Sequence, residues 1–149
     1  MPKAKLQAAT VGGSADVIEA QFYEALQTGD LEKLMACWAD EDDIVCVHPG
    51  GPRLIGSAAI REAFGAMFEH GTINAHPEHV CKVESLTSAM HNVIERLHIN
   101  TAEGRQEAVV VATNVYQRTA QGWRLVAHHA SPGTAAAQGG IQASPQVLH

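Results

Sequence analysis

The sequence predicts an α+β domain, with helices gathered on one side of a curved antiparallel sheet. Three observations support this. Apolar residues recur at helical spacing in three segments within the first half of the chain. Alternating and β-branched runs then fill the chain to about residue 131. No segment repeats, and 149 residues suit one domain with one core.

The opening residues lack periodicity and end in "GG", which predicts a loose arm over 1–13. Ser14 is a candidate N-cap for a helix whose inner face carries Ile18, Phe22, Ala25 and Leu26, and Gly29 is its candidate stop. Asp30 can cap a second helix, "LEKLMACWA", with Leu31, Leu34, Met35 and Trp38 on the inner stripe. The β-branched run "DIVCVHP" predicts a strand with Ile44, Cys46 and His48 on one face and Val45 and Val47 on the other. "PGGPR" turns the chain into the short segment "RLIG". Ser57 can cap a third helix carrying Ile60, Phe64, Met67 and Phe68, stopped near Gly71. Strands are expected near 73–86, 89–102, 106–119 and 122–131, with turns at "AEGR" and "TAQG". The single domain is therefore expected over 14–131. The Gly-, Ala-, Ser-, Gln- and Pro-rich 132–149 is expected to be a mobile tail, because it has little to bury.

Composition excludes several classes of function. A formal net charge of −6 and the lack of any Lys or Arg run argue against nucleic-acid binding, which needs a basic surface. "MPKAKLQAAT" has no apolar core behind its lysines and does not read as a secretory signal; "AVVVA" is too short to span a bilayer. Cys37, Cys46 and Cys81 are odd in number and lack C-x-x-C spacing, which fits a reducing, cytoplasmic setting and small buried thiols. No nucleic acid, membrane or cofactor is expected.

The strings "YEALQTGDLEKLMACWADEDDIVCVHPGG", "GSAAIREAF" and "ATNVYQRTAQGWRLVAHHAS", in that order, resemble the nuclear-transport-factor-2-like superfamily, and within it the SnoaL-like proteins. The resemblance covers Ser14 to Ser131. It implies a conical barrel of the cystatin-like type, in which a strongly bent antiparallel sheet wraps around about three helices, and it implies a sheet-to-sheet homodimer. It leaves function open between isomerases, cyclases, dehydratases and assembly domains. Matched to ketosteroid isomerase, His48 falls on the carboxylate base before the proline of the first strand, Phe22 on the helical tyrosine, and Asn114 on the late-strand acid. Phe22 cannot donate a hydrogen bond and Asn114 donates only as an amide, so steroid isomerisation by that mechanism is not expected. The ending also resembles the association domain of calmodulin-dependent kinase II, where Asn114 matches a pocket arginine and His129 a final-strand histidine.

The nine histidines are the one compositional excess. His128 and His129 are adjacent in a strand and point to opposite faces. The resemblance puts His129 inside, with Ser131 at its rim. His48 and His129 are then expected to meet at a pocket mouth with Asn114, as base, orienter and carbonyl donor. Each is equally readable as a structural hydrogen bond at a strand end. In "NVIERLHIN" two registers are open: Glu95, Leu97 and Ile99 inward, or Ile94, Arg96 and His98. Tyr116 and Trp38 are expected to line a ligand site or to be plain core. "HPEH", His76 to His79, reads as loop surface. No zinc-type spacing is present, so no metal is expected.

Two functions follow. The first is a pocket enzyme that transfers protons on a carbonyl-containing small molecule, with His48 as base and no cofactor. The second is a non-catalytic domain that binds a small organic molecule or carboxylate, or that forms oligomers. β-branched residues on both faces of 109–116 predict a homodimer, with Val109 or Val111 near its centre.

Overall fold

The computed structural model describes residues 13–134. Nearly all of the expected arm and most of the expected tail, residues 1–12 and 135–149, lie outside the described residues. Helix α1 (Ala15–Thr28) begins where Ser14 accepts a hydrogen bond from the Val17 amide at 3.2 Å. It ends on Gly29, whose φ of 69° closes the helix with a bond from its own N–H to the Ala25 carbonyl. Asp30 caps α2 (Leu31–Ala36) through the Lys33 amide at 3.0 Å. This helix is shorter than its apolar stripe predicts. The main chain around Trp38 is instead drawn onto the sheet, with bonds from Leu125 N to Cys37 O (2.7 Å) and from Ala39 N to Leu125 O (2.9 Å). Strands β1 (Val45–Val47) and β2 (Arg53–Ile55) form a short hairpin before α3 (Ser57–Phe68). The expected Ser57 cap is not formed: Ser57 is the first helical residue, and Gly56 at φ 88° holds the cap position without a side-chain bond.

Four long strands complete the described residues: β3 (Ala75–Glu84), β4 (Ser88–Thr101), β5 (Gly104–Thr119) and β6 (Gly122–Pro132). The sheet order is β2-β1-β6-β5-β4-β3. All pairings are antiparallel except β1 with β6, which run parallel. The sequence-predicted α+β class holds, with N-terminal helices against a curved six-stranded sheet. Phe22, Tyr23, Leu34, Ile44, Ile60, Phe64, Tyr116 and Leu125 are almost wholly buried between the two layers. Each such aliphatic or phenyl side chain contributes roughly 1.5–3 kcal/mol of gross burial energy.

Two irregularities decide which side chains face inward. β3 shifts register between Glu78 and Cys81, and His79 there takes a left-handed φ of 49°. The "HPEH" segment is therefore part of a bulged strand and not a loop. In β6, Val115 opposes Ala127 while Tyr116 opposes Leu125, which leaves Val126 as the extra residue of a bulge. One extra residue reverses the inward–outward alternation beyond it. Leu125, His128 and Ala130 are buried as a result, whereas His129 and Ser131 are exposed.

A buried polar chain ending at two histidines

The inner face of the sheet carries a directed line of hydrogen bonds. α1 delivers Tyr23, whose hydroxyl donates to Glu95 Oε2 on β4 at 2.7 Å. Asn114 on β5 donates from Nδ2 to the Tyr23 oxygen at 3.0 Å. Its Oδ1 faces His128 Nδ1 on β6 at 2.5 Å, so Nδ1 carries the proton and donates. The order is thus His128 to Asn114 to Tyr23 to Glu95, each group donating to the next, with the carboxylate as final acceptor. All four are buried. Fixing the Nδ1–H tautomer leaves Nε2 of His128 as the free acceptor.

Burial sets the charges. It pushes the Glu95 carboxyl up to about 7, against the lowering effect of the Tyr23 hydrogen bond. Burial, with the neighbouring His48 and His129, holds the His128 imidazole down to about 3. His48 is half-buried where β1 gives way to the turn, and burial lowers its pKa as well. Its ring meets Phe64 edge-on at 4.8 Å between centroids and stands 6.3 Å from the His128 ring. Phe22 lies 5.3 Å from His128, and Phe68 lies 6.3 Å from Phe64. Two neutral imidazoles therefore sit beside an aromatic wall. Cys46 Sγ is 3.7 Å from His48 Nε2, but burial first and the Glu95 charge second push its thiol up to about 12. It is a neutral thiol at physiological pH and not a nucleophile.

The sequence-predicted residues divide clearly. Asn114 is inward and fully buried, and Glu95 follows the first of the two open registers, with Ile94 on the opposite face. His48 adjoins the chain through His128. His129 does not: it is exposed on the outer face, and the β6 bulge is the reason. Ser131 is exposed for the same reason. Tyr116 is buried with its ring 4.9 Å from that of His91, and Trp38 is buried against β6. Neither borders the His48–His128 pair by any ring contact. The cleft of ~630 Å³ at the far end of β4, lined by Gln27, His70, Ile73, Leu97, His98 and Ile99 among others, is not lined by His48, Asn114 or His129.

Tyr23 and His128 are the functional candidates that sequence reasoning missed. Phe22 holds the position matched to a helical tyrosine, yet the hydroxyl arrives from the next residue. Tyr23 follows Glu19 by one helical turn on the border of the apolar stripe, and that spacing is the signal that marks it. His128 has no such signal, because nothing in "WRLVAHHAS" announces a bulge.

Comparison with known proteins follows this geometry. Residues 17–135 match the sequence model of the SnoaL-like domain family. No curated protein matches the chain. Among solved structures, the chain is similar to a candidate calcium/calmodulin-dependent protein kinase type II association domain from Thiobacillus denitrificans, at 32% identity over 81% of this chain and 96% of that one, with a TM-score of 0.73. It is similar to a candidate dehydratase of the NTF2-like family from Streptomyces avermitilis, at 28% identity over 85% and 99%, TM-score 0.72. An NTF2-like protein with a cystatin-like fold from Novosphingobium aromaticivorans, at 18% identity over 95% of both chains and TM-score 0.70, shares the fold.

Proposed function

The chain belongs to the SnoaL-like domain family, and on that premise we propose that it is a cofactor-independent acid–base enzyme acting on a carbonyl-containing organic molecule by dehydration or isomerisation. The observation that carries this reading is the directed chain from His128 through Asn114 and Tyr23 to Glu95, with His48 beside its His128 end. Burying a carboxyl and two imidazoles in one interior is costly, and such groups with displaced pKa values concentrate at reactive sites.

His48 is the base. Its lowered pKa keeps it neutral at physiological pH, and it is the least buried member of the group. Its ring nitrogen takes a proton from carbon next to the carbonyl, forming an enolate. The imidazolium then returns that proton, to the departing hydroxyl in a dehydration or to a neighbouring carbon in an isomerisation, so the proton balances within one turnover. His128 is held as a neutral acceptor by Asn114, which orients it towards the same space. The half-buried Phe68 offers an apolar contact for an organic ligand, and the buried Phe22 and Phe64 pack behind the imidazoles. The likeness to the candidate dehydratase at 28% identity supports this class of reaction.

The test is turnover of a panel of β-hydroxy and β,γ-unsaturated carbonyl compounds, followed by loss or gain of conjugated absorbance. The reading expects turnover by the wild type and a kcat/KM lower by roughly 10²–10⁴ in His48→Ala. A folded protein that converts none of the panel overturns it in favour of a second reading, an assembly or ligand-holding domain. That second reading is supported by the 32% likeness to a candidate association domain. Both readings share a homodimer formed through the outer face of β5.

A further inference from the structure

At the β3–β4 hairpin end of the inner face, three side chains from separate elements converge. Asp16 comes from the first turn of α1, Glu84 from the end of β3, and His91 from β4. One ligand atom from each lies within 4.8 Å of the other two. His91 Nε2 is 3.8 Å from Asp16 Oδ1 and 3.9 Å from Glu84 Oε2. The His91 side chain is 0% exposed, and its Nε2 has no hydrogen-bond partner among the described residues. A buried ring nitrogen without a partner is costly and needs an explanation.

The other nitrogen supplies one. His91 Nδ1 is 2.9 Å from Glu19 Oε2, itself on α1 and largely buried. Glu19 Oε2 is placed to accept from Nδ1–H, which leaves Nε2 as the nitrogen that faces the Asp16 and Glu84 oxygens and that a cation would engage through its lone pair. A carboxylate that orients a histidine whose second nitrogen faces further acidic oxygens is the arrangement found around metal-ligating histidines. We propose that Asp16, Glu84 and His91 bind a divalent transition cation of the zinc type, with Glu19 as the positioning residue. Imidazole nitrogen with two carboxylates suits such an ion. Ligand bonds of roughly 2.0–2.2 Å require the donors to close in by about an ångström. Asp16 and Glu84 have side chains more than half exposed, so they are free to do so and the site is open to solvent.

Lys82 identifies the electrostatic character of the place. Its ammonium sits 2.7 Å from Asp16 Oδ1, directly across the strand pair from His91. It supplies a positive charge at the point where the cation would bind, and it competes for the Asp16 oxygen. The cation site is therefore expected to tighten when Lys82 loses its charge, the opposite of what a merely structural salt bridge would do for binding.

The experiment uses the full chain, stripped of metal by chelation. Zn²⁺ is titrated by calorimetry and Co²⁺ by its visible absorption, with circular dichroism as the check of folding. One saturable site is expected, and bound Zn²⁺ should raise the melting temperature. Asp16→Asn and Glu84→Gln, both at exposed positions that leave the core intact, should each weaken binding by about tenfold or more. Glu19→Gln should weaken it by roughly 10–100-fold. Lys82→Met should strengthen it. Absence of saturable binding at millimolar metal in both the wild type and Lys82→Met overturns the proposal. Binding unchanged by Asp16→Asn and Glu84→Gln would belong to surface histidines and overturns it equally.

Discussion

Glu95 and His128 sit at opposite ends of one hydrogen-bonded chain and respond to pH in opposite directions. The folded Glu95 carboxyl has its pKa raised from 4.5 to about 7, so the folded state holds that proton more tightly than the unfolded state. Its contribution to stability is fully present below the unfolded value and is lost as pH rises through about 7. His128 is lowered from 6.5 to about 3, so its contribution is present above the unfolded value and is lost as pH falls towards 3. Glu95→Gln keeps an acceptor for Tyr23 and removes the first slope alone. The variant should therefore gain on the wild type between acidic and mildly alkaline pH, by up to about 3 kcal/mol. Urea denaturation at the two ends of that range measures it, and a difference that stays constant with pH would return the carboxyl to its ordinary titration. At His48 the proposed reaction supplies the readout. Deprotonation below the usual histidine range makes the imidazole competent throughout neutral pH. His48→Ala should lower kcat/KM by roughly 10²–10⁴ and flatten its acid limb. An acid limb that survives in the variant would assign it to another group.

The loop between α1 and α2 shows how far local chemistry alone fixes an element. Gly29 holds φ 69°, and a Cβ there would come within 3.2 Å of Thr72 Cγ2. Gly29→Ala should cost about 1 kcal/mol or more in chemical denaturation, with the fold retained. A neutral substitution would mean the left-handed cap is not needed. Such signals made the helices readable: Ser14, Gly29 and Asp30 act as the sequence predicts, because capping depends on a few consecutive residues. Strand membership was equally legible, since alternation is local too. What alternation cannot supply is its own interruption. The unpaired Val126 in β6 exchanges His128 for His129 on the inner face, and it depends on packing against β5 rather than on any property of "LVAHH". The same limit hid the Asp16–Glu84–His91 cluster, whose members are 7 to 75 residues apart and share no metal-binding spacing. Cross-strand register joins what sequence separates. Lys82, His91, Asn114, His128 and Cys46 are successive partners across five strands, which makes one polar row across the sheet.

At the scale of the molecule, the helices among the described residues cover one side of the sheet. The other side of β5 presents Val109, Val111, Thr113 and Val115, all half-buried, with Met90 and Asn92 of β4 beside them. Asn92 donates to Thr113 Oγ1 at 3.0 Å, so the polar members of this face pair with each other. Gly133 lies over Val109 and Val111, which covers one end of the strip and leaves the Thr113–Val115 end open. A second copy of the chain laid sheet to sheet about a two-fold axis would bury that strip on both subunits at once. Each branched side chain removed from water contributes roughly 1.5–3 kcal/mol before association entropy is subtracted. Several per subunit suffice for a dimer at micromolar concentration. Glutamate within the strip introduces an unpaired charge on each copy at the buried interface. Val111→Glu and Val115→Glu should therefore dissociate the dimer while leaving the far-ultraviolet circular dichroism unchanged. Analytical ultracentrifugation decides it: a wild type that sediments as a monomer at tens of micromolar ends the proposal, and a dimer indifferent to both substitutions moves the interface to another face.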